Sequence, residues 1–358
     1  MVSIITVNFN QLELTCALLD SIRRQEYRDV EVIVVDNAST DDPTAAFQTR
    51  YPEVRFIRSE KNLGFAGGNN LALPHATGDF LFFVNNDAEI TEGCITQLVQ
   101  FLEKTPKAGI VSPLICYHRP TVDGLRLTVD GGRPTVDGSR PTADGRRLTV
   151  DGLEQMEHPL VTLDRRPSTV NRRPSAVDRP PSTVIQYAGM PQVSPFTARS
   201  NMDGNGVENR GQYASPFPTG YAHGAAMMIP RRVLKSVGPM REDYFLYYEE
   251  VDWCERIHQA GYTVWVEPRA LVWHKESMTM QTLGTAKTWY LNRNRILFMR
   301  RHYGGWSFAV FMLFLTFVTI PKHLVAYGLK GDWANMWAFL KGIKAGIMNN
   351  SASSPEIT

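Results

Sequence analysis

Between residues 3 and 116 the chain alternates short apolar runs with stretches whose apolar positions recur at helical spacing. Residues 3–7 read as a buried strand, and Leu14, Leu18, Leu19 and Ile22 then mark one face of a helix. The series continues with a strand at 31–35, a helix at 43–50, a strand at 54–58 and a helical stretch at 66–73. A wholly apolar strand at 80–84 follows, then a helix with Ile95, Leu98, Val99 and Leu102 on one face, and a strand at 108–112. This alternation predicts an α/β fold, a mostly parallel sheet flanked by helices. The pattern resumes later, with a helix at 231–236, another starting near residue 249, and strands at 262–266 and 270–273.

Between the two halves the composition changes. Asp-Gly pairs recur at 123, 130, 137, 144 and 151, seven residues apart, in units such as RPTVDG and RLTVDG. A coiled coil needs two large apolar residues per heptad, and these units carry glycine, proline and arginine instead. A calcium-binding solenoid is the alternative, but its period is nine rather than seven. The pattern predicts a disordered insertion over 118–184, grown by tandem duplication, that interrupts the domain. Four segments result: 1–117, 118–184, 185–302 and 303–358.

The last segment holds a second apolar feature. Residues 306–320 are almost unbroken in hydrophobicity and stop at Pro321, Lys322 and His323. This is shorter than the roughly 20 residues of a spanning helix, and extending it encloses a lysine and a histidine. Arg293, Arg295, Arg300, Arg301 and His302 precede the run, and Trp306, Trp333 and Trp337 are residues that favour an interface. The segment is therefore expected on or in a membrane leaflet, with a spanning hairpin or a helix pair packed on the protein as alternatives.

Composition narrows the picture little. A formal net charge of +2 over 358 residues gives no reason to expect nucleic acid. The four cysteines lie far apart with no CxxC pair, and read as buried, reduced thiols of a cytoplasmic protein.

Three strand ends carry polar groups, and open α/β sheets bind ligands beyond the carboxyl ends of their strands. Asp36 and Asn37 follow the second strand and can hydrogen-bond a base or ribose, or form an ordinary capped turn. Residues 62–70, NLGFAGGNN, offer glycines for close backbone approach and neutral hydrogen-bonding asparagines; the sequence is neither a Walker loop nor a dinucleotide fingerprint. Asn85, Asn86 and Asp87 end the strand at 80–84. If that segment is extended, Asn85 and Asp87 face the same side and can grip one hard cation.

TVNFN, VVDNASTDD, NLGFAGGNN and VNNDAE, followed after the repeat by GAAMMIPRRVL, YFLYYEEVDWCERIHQAGY, VWH and YLNRNR, resemble the family 2 glycosyltransferases of the GT-A fold, in the branch with many rhamnosyltransferases. The resemblance covers the first 90 residues and about 186–300. It implies an inverting, metal-dependent hexosyltransferase of surface polysaccharide synthesis. Its donor is a nucleotide diphosphate sugar, rhamnose by resemblance; its acceptor is a glycan or polyprenyl-linked glycan; its setting is the cytoplasmic face of the membrane.

By the same resemblance Val7, Asn8, Asp36, Asn37, Asn62, Gly64, Gly67, Asn69, Asn85 and Asn86 bind the donor. Asp87, Asn85 and His274 bind Mn²⁺ or Mg²⁺; Gly224, Ala225 and Trp253 belong to the acceptor region; Glu250 is the base, with Glu249 its competitor. Lys287, Arg293 and Arg295 can reach either the diphosphate or lipid headgroups. Two departures stand out: Asn85 replaces the first aspartate of the usual DxD, and Glu250 stands where the family usually has aspartate. A catalytically inactive carbohydrate-binding scaffold and a nucleotidyltransferase are the alternatives; the products distinguish them.

Overall fold

Strands β1 (Val2–Asn8), β2 (Val30–Asp36) and β4 (Phe80–Val84) are apolar on both faces, which suits a sheet covered on both sides. In the computed structural model, which describes residues 1–117, 127–130, 133–136, 183–275 and 284–348, both faces are covered. Val2, Ile4, Val32, Val34, Phe82 and Val84 point into one core with helices α1 (Leu12–Arg23) and α4 (Cys94–Lys104). Ile5, Ile33, Val35, Leu81 and Phe83 point into the other, shared with α3 (Gly64–Ala72) and α6 (Glu249–Gln259). All four cysteines are buried thiols.

β1 pairs in parallel with β2 on one side and β4 on the other, and β3 (Arg55–Arg58) extends the sheet beyond β2. The chain thus reverses its direction of strand addition at β1, which opens a crevice at the carboxyl ends. Helix α2 (Thr44–Arg50) lies between β2 and β3 in sequence.

The sheet is more mixed than the pattern predicts. β11 (Ala226–Pro230), buried along its whole length, runs antiparallel between β4 and β6 (Ala108–Tyr117). β12 (Thr263–His274) pairs parallel to β6, and takes β5 (Ala88–Ile90) and β10 (Phe217–Thr219) as antiparallel neighbours; β9 (Ile185–Tyr187) pairs with β6. Apolar alternation is the same for either strand direction, so only the pairing reveals it. The strands expected at 262–266 and 270–273 are one strand whose register shifts between Glu267 and Leu271; Pro268 has no N–H for the ladder there.

The residues of the repeat fall largely outside those described. Tyr117 and Val184, at its two ends, belong to one compact unit, and residues 118–183 form another. Within the latter, β7 (Leu127–Asp130) and β8 (Arg133–Val136) pair antiparallel. The expectation of disorder over 118–184 otherwise lies outside the described residues.

After β12, α5 (Arg231–Val237) having preceded α6, the chain forms α7 (Gly284–His302), α8 (Gly305–Lys330) and α9 (Trp333–Met348). α8 corrects one expectation: Pro321 does not end the apolar helix. A π-helical stretch at Leu315–Thr319 precedes the proline, and such a widened turn absorbs a lost i→i−4 bond. The result is a helix of 26 residues, long and apolar enough to cross a membrane by length and composition.

The basic cluster ahead of α8 is a second correction, since most of it turns inward. Arg293 is buried and donates to the Asp243 carbonyl. Arg301 pairs with the Asp243 carboxylate. His302 Nε2 meets Asp252 Oδ1 at 2.8 Å. Asp252 is wholly buried, and Arg256 and Tyr244 also donate to it, at 2.8 and 3.1 Å. Burial alone would raise this carboxyl, but the His302 hydrogen bond and the Arg256 charge outweigh it and hold it below its usual value.

A depressed folded-state pKa contributes stability that is present above the unfolded value and is lost as pH falls through the folded one. Asp252→Asn should therefore cost about 3 kcal/mol or more near neutrality, with a smaller loss in acid. Urea denaturation of both proteins at pH 7 and at about pH 2, below the ordinary carboxylate range, measures it; equal differences at the two pH values would refute the ion-pair account.

Candidate active site

The crevice at the carboxyl ends of β1, β2 and β4 opens into a cavity of about 640 Å³. Its floor is set by a buried polar network. Asn8, at the end of β1, donates to Asp36 Oδ1 at 2.8 Å and to Ser39 Oγ at 3.2 Å, and accepts from Thr15 at 2.7 Å. Asp36 also accepts from the Ser39 hydroxyl and backbone N–H. Both are almost wholly buried, and neither lines the cavity. In this structure the two residues join the ends of β1 and β2 behind the cavity wall.

Asn37 holds the glycine loop. Its amide nitrogen donates to Asn62 Oδ1 at 2.9 Å and to the Gly64 carbonyl at 3.2 Å, and its Oδ1 accepts from the Leu63 N–H at 2.9 Å. Gly64 has φ +71°, and a Cβ there would sit 2.3 Å from the Phe245 carbonyl oxygen, so glycine is required twice over. Asn37, Asn62, Gly64 and Asn69 line the cavity with Val7. Gly67 does not; it is buried within α3, where a Cβ would meet the Leu63 side chain.

Opposite stands the pair Asp87 and His274. β5 and the end of β12 are hydrogen-bonded neighbours, with His274 level with Ala88. His274 Nε2 lies 3.2 Å from Asp87 Oδ1. On the far side of the ring Nδ1 is 2.8 Å from Gln186 Oε1 on β9, an acceptor, so Nδ1 donates and Nε2 is the ring atom turned toward Asp87. Nε2 has no hydrogen-bond partner among the described residues. Two ligands on adjacent octahedral positions at about 2.1 Å from one cation stand about 3 Å apart, so these two groups fit a shared divalent ion. Among the described residues no three His, Cys, Asp or Glu side chains gather around one point, so most of the coordination sphere would be left for other oxygens.

The pleat argument for Asn85 is corrected. The Ala88 N–H closes a turn onto the Asn85 carbonyl at 3.1 Å, so residues 85–88 are not extended and alternation does not put Asn85 beside Asp87. Asn85 and Asn86 both line the cavity, and Asn86 donates to Thr15. His223 sits 6.1 Å from the His274 ring; burial first, then His274, push its pKa down to about 3 against the opposing pull of Asp87, so it is neutral.

The third wall is the segment leading into α6. Phe245, Tyr247 and Tyr248 have φ of 65°, 68° and 77°, a region that L-residues rarely adopt. Asn294 on α7 restrains them, its amide nitrogen donating to the carbonyls of Tyr244, Leu246 and Tyr247. This delivers Glu249 and Glu250 to the cavity at the head of α6. Glu249 is buried, and burial together with the charge of Glu250 raises its carboxyl well above the usual range. Glu250 is less buried, and burial raises it too. Of two adjacent acids that cannot both ionise cheaply, the more accessible Glu250 takes the charge.

Gly224 and Ala225 line the cavity, and a Cβ on Gly224 would lie 3.9 Å from Glu250 Cγ. Trp253 does not line it: the ring is buried edge-on against Phe83 and its Nε1 donates to the Gly238 carbonyl, correcting its acceptor-region placement. Lys287 and Arg295 reach the cavity wall and Arg293 does not. Sequence reasoning missed Gln186 and Asn294. Gln186 stands in no charged motif, and Asn294 lies between Arg293 and Arg295 of the YLNRNR segment, whose charge is the more conspicuous signal.

Residues 3–129 match the family Glycosyl transferase family 2. The chain is 25% identical over 300 residues, 80% of each protein, to the N-acetylglucosaminyl-diphospho-decaprenol L-rhamnosyltransferase of Mycobacterium tuberculosis (strain ATCC 25618 / H37Rv). It is 31% identical over 104 residues to the uncharacterized glycosyltransferase YwdF of Bacillus subtilis (strain 168), a match spanning 28% of this chain and 38% of that protein. Among solved structures, the mannosyltransferase PcManGT of Pyrobaculum calidifontis, in complex with GDP-Man and Mn²⁺, aligns with a TM-score of 0.51 at 16% identity over 97% of this chain and 87% of that one. That likeness establishes the fold, the GT-A arrangement.

If Gln186 fixes the His274 ring, Gln186→Leu should weaken Mn²⁺ binding to the protein about 10- to 100-fold, read by titration calorimetry. Unchanged affinity would show that the ring needs no such support.

Proposed function

We propose, for a chain that carries a family 2 glycosyltransferase domain, that it transfers a sugar, rhamnose first among candidates, from a nucleoside diphosphate to a hydroxyl of a polyprenyl-linked glycan, with inversion at the anomeric carbon. One observation carries this reading: a single cavity at the strand ends holds the Asp87–His274 pair, the Asn37-held loop and Glu250. The activity for which the mycobacterial relative is named supports the donor sugar and the lipid-linked acceptor.

In this scheme residues 1–117 bind the donor and 185–302 supply the base and acceptor side. Asn62, Gly64 and Asn69 hold the donor, and Lys287 and Arg295 place positive charge on the same cavity. Asp87 and His274 would hold Mn²⁺ or Mg²⁺, which when bound supplies positive charge to the leaving diphosphate. Glu250 takes the proton of the acceptor hydroxyl. The hydroxyl oxygen bonds to the anomeric carbon as the bond to the diphosphate breaks, and that electron pair leaves with the nucleoside diphosphate. One displacement inverts the anomer.

Residues 303–358 dock the enzyme on the cytoplasmic face of the membrane. On α8 and α9, Trp306, Leu313, Phe317, Val325, Leu329, Trp333 and Trp337 are exposed, and so are Lys322, Lys330, Lys341 and Lys344. Aromatic and aliphatic groups flanked by lysines suit an anionic lipid surface.

Glu250→Gln should lower kcat at least about 100-fold, and Asp87→Ala should remove the dependence of turnover on Mn²⁺. Because the base acts deprotonated and its pKa is raised, wild-type kcat/KM should climb with pH through a value above the ordinary carboxylate of about 4.3. Full turnover by Glu250→Gln would sink the assignment. The combined change Phe317→Ser, Val325→Ser and Leu329→Ser should reduce co-sedimentation with anionic phospholipid vesicles several-fold; equal binding would place the membrane contact elsewhere.

A further inference from the structure

Two acids open α6, and a reaction with one general base uses one of them. Glu249 is 3% exposed, its side chain lines the cavity, and its Oε2 has no hydrogen-bond partner among the described residues. Leaving a buried carboxyl oxygen unmatched carries a desolvation cost. Replacing Glu249 by an apolar residue would remove that cost, so its presence at the wall of a ligand cavity points to a group that arrives with the ligand. Asp252, three residues on, shows the contrast: its carboxylate is met by Arg256, His302 and Tyr244 and faces away from the cavity.

We propose that Glu249 is a sugar-binding residue: its buried carboxyl exchanges hydrogen bonds with a hydroxyl of the sugar beside the reaction centre, and so helps select which sugar is used. This rests on the glycosyl-transfer reading. A carboxylic acid is suited to the task, since it offers one O–H donor and one carbonyl acceptor, matching a hydroxyl that both accepts and donates. Burial and the charge of Glu250 raise this carboxyl well above its usual range, which favours the form that carries the O–H. The strained backbone at Tyr247 and Tyr248, held by Asn294, fixes where the carboxyl stands. A site that hydrogen-bonds a particular hydroxyl also rejects sugars lacking it, because its own buried group is then left unmatched.

The test compares wild type, Glu249→Gln and Glu249→Leu with parent and monodeoxy sugars, in one arm on the nucleotide donor and in the other on the acceptor. Wild type should prefer one parent sugar over one deoxy analogue by at least about tenfold in kcat/KM and in calorimetric affinity. Glu249→Leu should lose that preference in a single arm, which identifies the sugar touched, while its Mn²⁺ affinity is kept and its thermal midpoint does not fall. Glu249→Gln, with the same shape and a donor, should stay within about tenfold of wild-type turnover.

Undiminished discrimination by Glu249→Leu in both arms would overturn the proposal. So would a Glu249→Gln variant as inactive as Glu250→Gln is expected to be, since Glu249 would then be the base. Full turnover by Glu250→Gln, with discrimination still lost in Glu249→Leu, would instead overturn the base assignment alone.

Discussion

Three backbone carbonyls, those of Tyr244, Leu246 and Tyr247, converge on the side-chain nitrogen of Asn294 at 2.9, 2.8 and 2.8 Å, and the working geometry of the cavity depends on that clamp. The segment it holds carries three non-glycine residues at positive φ, each costing about 1–3 kcal/mol in isolation. Such a conformation persists only where its surroundings over-determine it. Here the Phe245 carbonyl also accepts from the Phe65 N–H, which ties the strained segment to the glycine loop across the cavity. The loop from the first half and the acids from the second therefore hold each other in place.

Three acids in four residues meet three fates, and environment alone separates them. Asp252 faces Arg256 and His302 and is stabilised as an anion. Glu249 is buried at the cavity wall, where burial and the charge of Glu250 raise its carboxyl well above the usual range. Glu250, nearer to solvent, is the one that can change its charge at modest cost. On the proposed reading a single helix terminus both binds and deprotonates, where two charged neighbours would repel each other.

The apolar C-terminal helices meet this apparatus through α7. Gly342 and Gly346 of α9 bring its backbone against the Trp289 and Arg293 carbonyls; a Cβ on Gly342 would stand 2.5 Å from the former. α7 in turn carries Asn294, Lys287 and Arg295. One helix thus packs against α9 on one side and restrains the acidic loop on the other. That arrangement suits an acceptor whose anchor lies in lipid while its sugar enters the cavity.

The sequence by itself determined the elements and their alternation, because periodicity at 3.6 or 2 residues reports burial within a single segment. It also located the polar strand ends and, through family resemblance, the order of the motifs, so part of the polar cavity wall was legible: Asn37, Asn62, Gly64, Asn69, Asp87, His274 and the two glutamates. What only the tertiary structure decided were matters of partnership across distance. Asn8 and Asp36 are joined across β1 and β2, His274 is oriented by Gln186, 88 residues away, and the arginines and histidine that read as lipid-facing turn inward to Asp243 and Asp252. The antiparallel course of β11 and the turn at Asn85 belong to the same class. A side chain's chemistry is written in its identity, but its charge state and direction depend on what stands opposite, and those neighbours are assembled only when distant segments pack.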